Sequence, residues 1–196
     1  MGDVGVAERW YREYMAIVQQ HEAAAVLRDA AIAGDLARWT QALTGVVVST
    51  CEDIGWNAAA KGHRSSLLPV AREEYLSLDV VAFASTGDQR WRFPVAVFEL
   101  ENSDQDDRVA YSLWKVLCVR ASLRVVFCYR RDASSRAALV RPLADEIVGA
   151  TGIAERAQVG GETMLVIGSR DEAGTFPYGF FKEWSLDMNT ARFVRR

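Results

Sequence analysis

The hydrophobic and polar positions of this chain follow a helical period at first, and the period changes near residue 61. Residues 6–60 are rich in Ala, Glu, Gln, Arg and Leu and contain no proline, a composition typical of helices. Gly34 followed by Asp35 predicts the end of one helix and the N-cap of the next. From Asp35 to Ile54 the apolar residues recur at helical spacing, so one face of this helix is expected to be buried.

After a loop over residues 61–66, short apolar runs predict strands that alternate with helices. The predicted strands are 75–83, 93–101, 123–129, 163–167 and 178–186, and the predicted helices are 106–121 and 133–148. The first two strands are joined by the turn-rich segment 85–89, which predicts a hairpin. A helix between two strands favours parallel pairing, so the pattern predicts an α/β fold with a sheet covered on both faces.

Composition and charge limit the possible classes of protein. The chain has 196 residues, half of them hydrophobic, and a formal net charge of -3. This length suits one domain with a sizeable core. The mild acidity is not typical of a protein that coats nucleic acid with clustered Lys and Arg, although a local basic patch can suffice for binding.

The cysteines and the absent motifs narrow the chemistry further. Cys51, Cys118 and Cys128 form no CxxC pair, which predicts reduced, buried thiols and a cytoplasmic location. Only two histidines occur, which disfavours zinc. No apolar run reaches membrane-spanning length and no signal-peptide pattern is present, so no membrane partner is expected. The nucleotide-binding, serine-hydrolase and zinc-protease motifs are all missing.

Three acids lie where strands rarely carry them. Asp79 interrupts an apolar run, and Glu99 and Glu101 end the next one. Side chains alternate along a strand, so the two Glu share one face while Leu100 points to the other. Carboxylates in an apolar setting need compensation, which a divalent cation with oxygen ligands can supply. The alternatives are a solvated strand tip for the Glu pair and a structural hydrogen bond for Asp79.

Asp79, then Glu99-Leu100-Glu101 on the next strand, then a helix and a strand, together resemble the PD-(D/E)XK nuclease superfamily of the restriction-endonuclease-like fold. The resemblance covers residues 35–130. It implies a three-layer αβββαβ core with a mixed sheet flanked by helices, preceded by a helical segment (1–34) and completed by 131–196. The whole chain is then expected to be one domain.

The resemblance also implies a site. Asp79 and Glu99 are expected to bind Mg²⁺ or Mn²⁺, with the Leu100 carbonyl as a third ligand. Two residues depart from the family pattern, since Leu78 replaces a common Pro and Glu101 stands where the family has Lys. Glu101 is therefore expected to bind a second ion or to orient the attacking water.

Lys115, on the following helix, is the candidate to replace the missing lysine, and a surface helix position is its alternative reading. The family often has an acid on the first core helix, for which Glu52 is the candidate and Glu73 and Glu74 are competitors. A solvated helix-face position is the alternative for each of these three. The six tryptophans lie mostly at the core spacing of helices or strands, so they are expected to pack in the core and not to stack on bases.

The expected function is metal-dependent hydrolysis of phosphodiester bonds, with nucleic acid, most simply DNA, as the partner and a homodimer as a possible assembly. One alternative is a catalytically inactive module of the same fold that binds nucleic acid or protein. The other is a structural subunit whose helical N-terminal third mediates assembly.

Overall fold

A computed structural model describes residues 5–86 and 90–195, in which a seven-stranded mixed sheet lies between two layers of helices. The strands are β1 (Trp56–Ala60), β2 (Val80–Ala84), β3 (Ala96–Leu100), β4 (Leu123–Arg130), β5 (Glu162–Ser169), β6 (Phe181–Asp187) and β7 (Arg192–Arg195). They are ordered β1 to β7 across the sheet. β3, β4 and β5 are parallel, and the other neighbouring pairs are antiparallel.

The helices separate into two sets. They are α1 (Val6–Val18), α2 (His21–Ala33), α3 (Leu36–Asp53), α4 (Asp106–Leu117), α5 (Ala133–Leu143) and the short α6 (Ile153–Arg156). Side chains of α1 to α3 share one buried cluster with alternate residues of the sheet, and α4 and α5 share a second cluster with the intervening residues. The period-2 alternation of the strands therefore assigns each strand residue to one helical layer.

The first helix belongs to the core of the molecule. Trp10 and Tyr14 of α1 are fully buried, and their ring centroids lie 5.0 Å from Phe98 and 5.3 Å from Phe127, respectively. The start of this helix is also anchored, because Glu162 of β5 accepts hydrogen bonds from the first backbone N–H groups of α1. The segment 1–34 is thus integrated with the sheet through its described residues.

The α/β class, the β2–β3 hairpin and the parallel pairing around α4 are confirmed. Gly34 ends α2 in a left-handed conformation at φ +67°, which its missing Cβ permits, and the Asp35 side chain caps α3 by accepting from the Arg38 N–H. The predicted hairpin turn lies partly outside the described residues, since 87–89 are not among them.

Other boundaries were wrong. Residues 56–60 form strand β1 and not helix, because pairing with β2 overrides the helix propensity of three consecutive alanines. Residues 75–79 are irregular, and β7 was not predicted.

All three cysteines are free, but Cys118 is exposed and not buried as expected. Among the described residues, no helix is both long and apolar enough to cross a membrane.

Candidate functional site

The predicted acids meet at the end of the β2–β3 hairpin. Val80 pairs with Phe98, so continuing this register by one residue places Asp79 opposite Glu99. Because side chains alternate along a strand, both residues lie on the face of the sheet that packs against α4. The Asp79 Oδ2 atom accepts a hydrogen bond of 2.7 Å from the Leu100 N–H. At this position β2 has not yet begun, so the Asp79 carboxylate accepts the hydrogen bond that a backbone carbonyl of a neighbouring strand would otherwise accept from the Leu100 N–H.

Lys115 reaches this site from the helix above. The apolar positions Val109, Leu113 and Val116 fix one face of α4 onto the sheet. That orientation places the Lys115 Nζ atom 2.8 Å from the Glu99 Oε2 atom and 2.9 Å from the Ser77 carbonyl oxygen. The structure thus brings Lys115 together with the acids through α4, although it lies 16 residues beyond Glu99 in the sequence.

Ser112 is a member of the site that the sequence did not reveal. Its buried hydroxyl lies 3.4 Å from the Glu99 Oε2 atom and 3.5 Å from the Glu101 Oε2 atom. Glu101 is further held by the Ser103 N–H, which donates to its Oε1 atom at 2.7 Å. A polar residue three positions before Lys115, on the apolar face of α4, was the available signal.

The environment of Glu99 favours its protonated form. Burial raises the pKa of Glu99 from 4.5 to about 7; the Lys115 ammonium opposes this change and the charge of Asp79 adds to it. The Oε1 atom of Glu99 is buried without a hydrogen-bond partner. A buried acceptor that lacks a partner costs about 1–3 kcal/mol.

Burial also raises the pKa of Asp79 above its ordinary value. The Leu100 N–H and the Lys115 ammonium lower this pKa, whereas the charges of Glu74 and Glu101 raise it. Of the competing acids named from the sequence, Glu74 is therefore close enough to act on Asp79. Glu73 instead accepts from the backbone N–H of Gly62 at 3.3 Å.

The residues present fit a divalent cation by their chemistry. Carboxylate oxygens are the ligands that Mg²⁺ and Mn²⁺ accept, and the unpartnered Glu99 oxygen would gain the most from a positive ion. As arranged, however, no three His, Cys, Asp or Glu of the described residues form a group able to hold a metal ion. Lys115 and the Leu100 N–H supply the positive counterpart to these acids instead.

Backbone strain is concentrated beside the same lysine. Leu76 and Ser77 both adopt left-handed conformations, at φ +59° and φ +55°, which non-glycine residues rarely do in succession. This turn presents the Ser77 carbonyl to Lys115 and leads directly into Asp79. Strain of this kind is often found at functional sites.

The structure does not bring Glu52 to the acids. Glu52 lies in the last turn of α3, and the chain then enters β1 at Trp56, which pairs with Ala84 at the end of β2 remote from Asp79. α3 also covers the opposite face of the sheet. Its N-terminal half is the part that approaches the site, because Thr40 accepts a hydrogen bond from the Asn102 side chain at 2.7 Å.

The expectation that the tryptophans pack in the core was wrong for two of them. Trp10 and Trp39 are buried, but Trp91 and Trp114 are largely exposed. Trp114 belongs to α4, one residue before Lys115, and its ring lies beside the exposed ring of Tyr111. Aromatic character alone does not tell which face of a helix a residue occupies.

A second feature lies at the same edge of the sheet. A cleft of about 490 Å³ there is lined by Asn102, Arg130, Arg131 and Arg170, among others. Arg130 is paired with Asp106 at the start of α4. Arg131 and Arg170 line the cleft without an ion pair to a described acid, and Asp104 and Asp171 line it as well, so its wall carries charges of both signs.

Comparison with known proteins identified no relative: no family model, no curated protein and no solved structure matches the chain.

Proposed function

We propose that this protein is a metal-dependent nuclease of the restriction-endonuclease-like type that hydrolyses phosphodiester bonds in DNA. The observation that carries the proposal is the ion pair between Lys115 and Glu99, directly beside Asp79. It supports the idea that a lysine from α4 replaces the one missing after Glu99. The element order α3-β1-β2-β3-α4-β4 also agrees with an αβββαβ core, and here β1 supplies a strand that the sequence had not indicated.

Each residue has a distinct role in this proposal. Asp79, Glu99 and the Leu100 carbonyl would hold a Mg²⁺ or Mn²⁺ ion, which would lower the pKa of water and neutralise charge on the phosphoryl oxygens. Lys115 holds Glu99 in place and offers positive charge to the transition state. Glu101, steadied by Ser103 and Ser112, orients the attacking water or accepts its proton. The attack breaks the bond between phosphorus and the leaving oxygen.

Cleavage assays on purified variants test this function. We expect the wild-type protein to cut plasmid or single-stranded DNA in Mn²⁺, and Asp79→Ala, Glu99→Gln and Lys115→Met to lose at least about a hundredfold of the rate. Glu22→Gln and Lys61→Met are matched controls, because both residues are exposed and outside the site. Cleavage that persists in Glu99→Gln would assign the activity to a contaminant or another site.

A second candidate is a catalytically inactive module of the same fold that binds nucleic acid or protein. The observation in its favour is that Lys115 and the Leu100 N–H already compensate Glu99 and Asp79 without an ion. Calorimetric titration with Mn²⁺ separates the two candidates. The nuclease should bind the ion and lose that binding in Asp79→Ala, whereas the inactive module should bind none. The cytoplasmic location and the homodimer expected from the sequence remain predictions.

A further inference from the structure

An apolar rim lies next to the residues that contact Lys115 in the candidate site. Three large side chains form it, and each is more than half exposed: Leu76 at 65 %, Tyr111 at 56 % and Trp114 at 52 %. Leu76 precedes Ser77, whose carbonyl accepts from Lys115, and the other two residues precede Lys115 on α4 by four positions and by one. Large apolar side chains that cluster in solvent indicate a binding surface.

The two aromatic rings of the rim lie close to the Lys115 ammonium, which contacts Glu99. The Lys115 Nζ atom lies 5.9 Å from the centroid of the Tyr111 ring, and the Tyr111 and Trp114 centroids are 6.0 Å apart with an interplanar angle of 32°. The same Nζ atom is 2.8 Å from Glu99. Lys115 therefore contacts Glu99 with the same ammonium that lies 5.9 Å from the exposed ring of Tyr111.

The rim is built at a cost to the folded protein, which argues against an incidental surface. Leu76 is exposed because it occupies the first of the two left-handed positions before Asp79, where a non-glycine residue is strained. Tyr111 and Trp114 interrupt the polar face that an amphipathic surface helix normally presents to solvent. All three departures from ordinary patterning converge on Lys115.

Resting on the proposed nuclease function, we propose that this rim binds unpaired bases, so that the substrate is single-stranded DNA. Exposed aromatic rings stack on bases that are free of a partner strand, and each stacked base is worth about 1–3 kcal/mol. In a duplex the base faces are covered by neighbouring pairs, so Tyr111 and Trp114 have no face to contact. The Lys115 ammonium next to the rings already binds Glu99 and the Ser77 carbonyl, which leaves one of its three N–H groups to donate to the phosphate between stacked bases.

The test compares oligothymidylate with a blunt duplex of equal length, both fluorescently labelled, by anisotropy in Ca²⁺. We expect Trp114→Ala to weaken oligothymidylate binding by about tenfold or more and to leave duplex binding within about twofold. Trp91→Ala is the matched control, because Trp91 is 66 % exposed but lies ahead of β3, at the end of that strand remote from Glu99. It should change neither affinity.

Two results overturn the proposal. One is an equal effect, or no effect, of Trp114→Ala on the two DNA forms. The other is a wild-type dimer that Trp114→Ala converts to a monomer in light scattering while oligothymidylate binding is unchanged, which would assign the rim to a second copy of the chain.

Cleavage of the same oligothymidylate in Mn²⁺ keeps the two proposals distinguishable. If the wild type cleaves the oligonucleotide, Glu99→Gln does not, and Trp114→Ala binds it as the wild type does, the nuclease proposal is supported and the proposal that the rim binds unpaired bases is wrong. Selective loss of binding in Trp114→Ala without any wild-type cleavage would sustain the rim and remove the nuclease.

Discussion

Glu99 is held between opposing influences, because burial favours its neutral form while Lys115 favours its charged form. Burial raises the pKa of its carboxyl from the ordinary value of 4.5 to about 7 in the folded protein. Between these values the folded protein binds more protons, so the stability linked to Glu99 is fully present below pH 4.5 and is lost as the pH rises through 7.

The Glu99→Gln variant should therefore have a flatter pH dependence of stability. In metal-free buffer, the wild-type free energy of unfolding should fall by up to about 3 kcal/mol more than that of Glu99→Gln between these two pH limits. Urea unfolding with a chelator present measures the difference. Parallel curves for the two proteins would show that Glu99 is solvated and carries no raised pKa.

Asp79 has a structural role that can be separated from the metal binding that we propose for it. Asp79→Asn keeps an oxygen that can accept from the Leu100 N–H, whereas Asp79→Ala leaves that amide unpaired at the end of β3. We expect Asp79→Ala to be about 1–2 kcal/mol less stable than Asp79→Asn in chemical unfolding. Both variants should lose Mn²⁺ binding, since neither keeps the charge. Equal stability of the two variants would show that the hydrogen bond from the Leu100 N–H to residue 79 does not stabilise the fold.

At the scale of single elements, α1 illustrates how much of the core a terminal helix can supply. Trp10 is fully buried against Phe98 and Phe127. Trp10→Ala should lower the free energy of unfolding by about 3–5 kcal/mol, as large-to-small changes in cores do. Trp91→Ala, at an exposed position, should stay within about 0.5 kcal/mol of the wild type. A small effect of Trp10→Ala would show that α1 is only loosely attached.

The elements that the sequence predicted well are those with a strong local pattern. α4 has a clear helical period, β4 is a continuous apolar run rich in β-branched residues, and Gly34 and Asp35 mark a helix boundary through their own chemistry. β1 was missed because three alanines carry no strand signal, and only the neighbouring β2 makes them extended. The path between Leu76 and Asp79 depends on two left-handed residues that no local pattern encodes.

For the site, side-chain alternation along a strand predicted that Glu99 and Glu101 share a face, whereas Asp79 lies just before β2 and faces Glu99 through the register of β2 with β3. It placed Glu52 at the wrong end of the molecule, since helical periodicity defines a face but not which end of the helix meets the sheet edge. It missed Ser112 and the exposure of Trp114, because both depend on how α4 is rotated in three dimensions.

At the scale of the whole molecule, the two helical layers pack on opposite faces of one sheet, and we expect the fold to unfold as a single cooperative unit. Side chains of α1 to α3 line one face of the sheet from β1 to β6. A chain that lacks residues 1–34 should therefore fail to fold, giving low soluble yield and no cooperative thermal transition in circular dichroism. A truncated chain that melts cooperatively near the wild-type temperature would instead define this segment as a removable extension.

The tandem turn at Leu76 and Ser77 stores conformational energy on the order of 1–2 kcal/mol per residue. Glycine at either position would remove this backbone strain. It would also make the backbone more mobile at the Ser77 carbonyl, which accepts a hydrogen bond from the Lys115 ammonium. Selection of variants for heat resistance alone should therefore favour glycine at position 76 or 77. Selection for the proposed cleavage activity should instead retain Leu76 and Ser77.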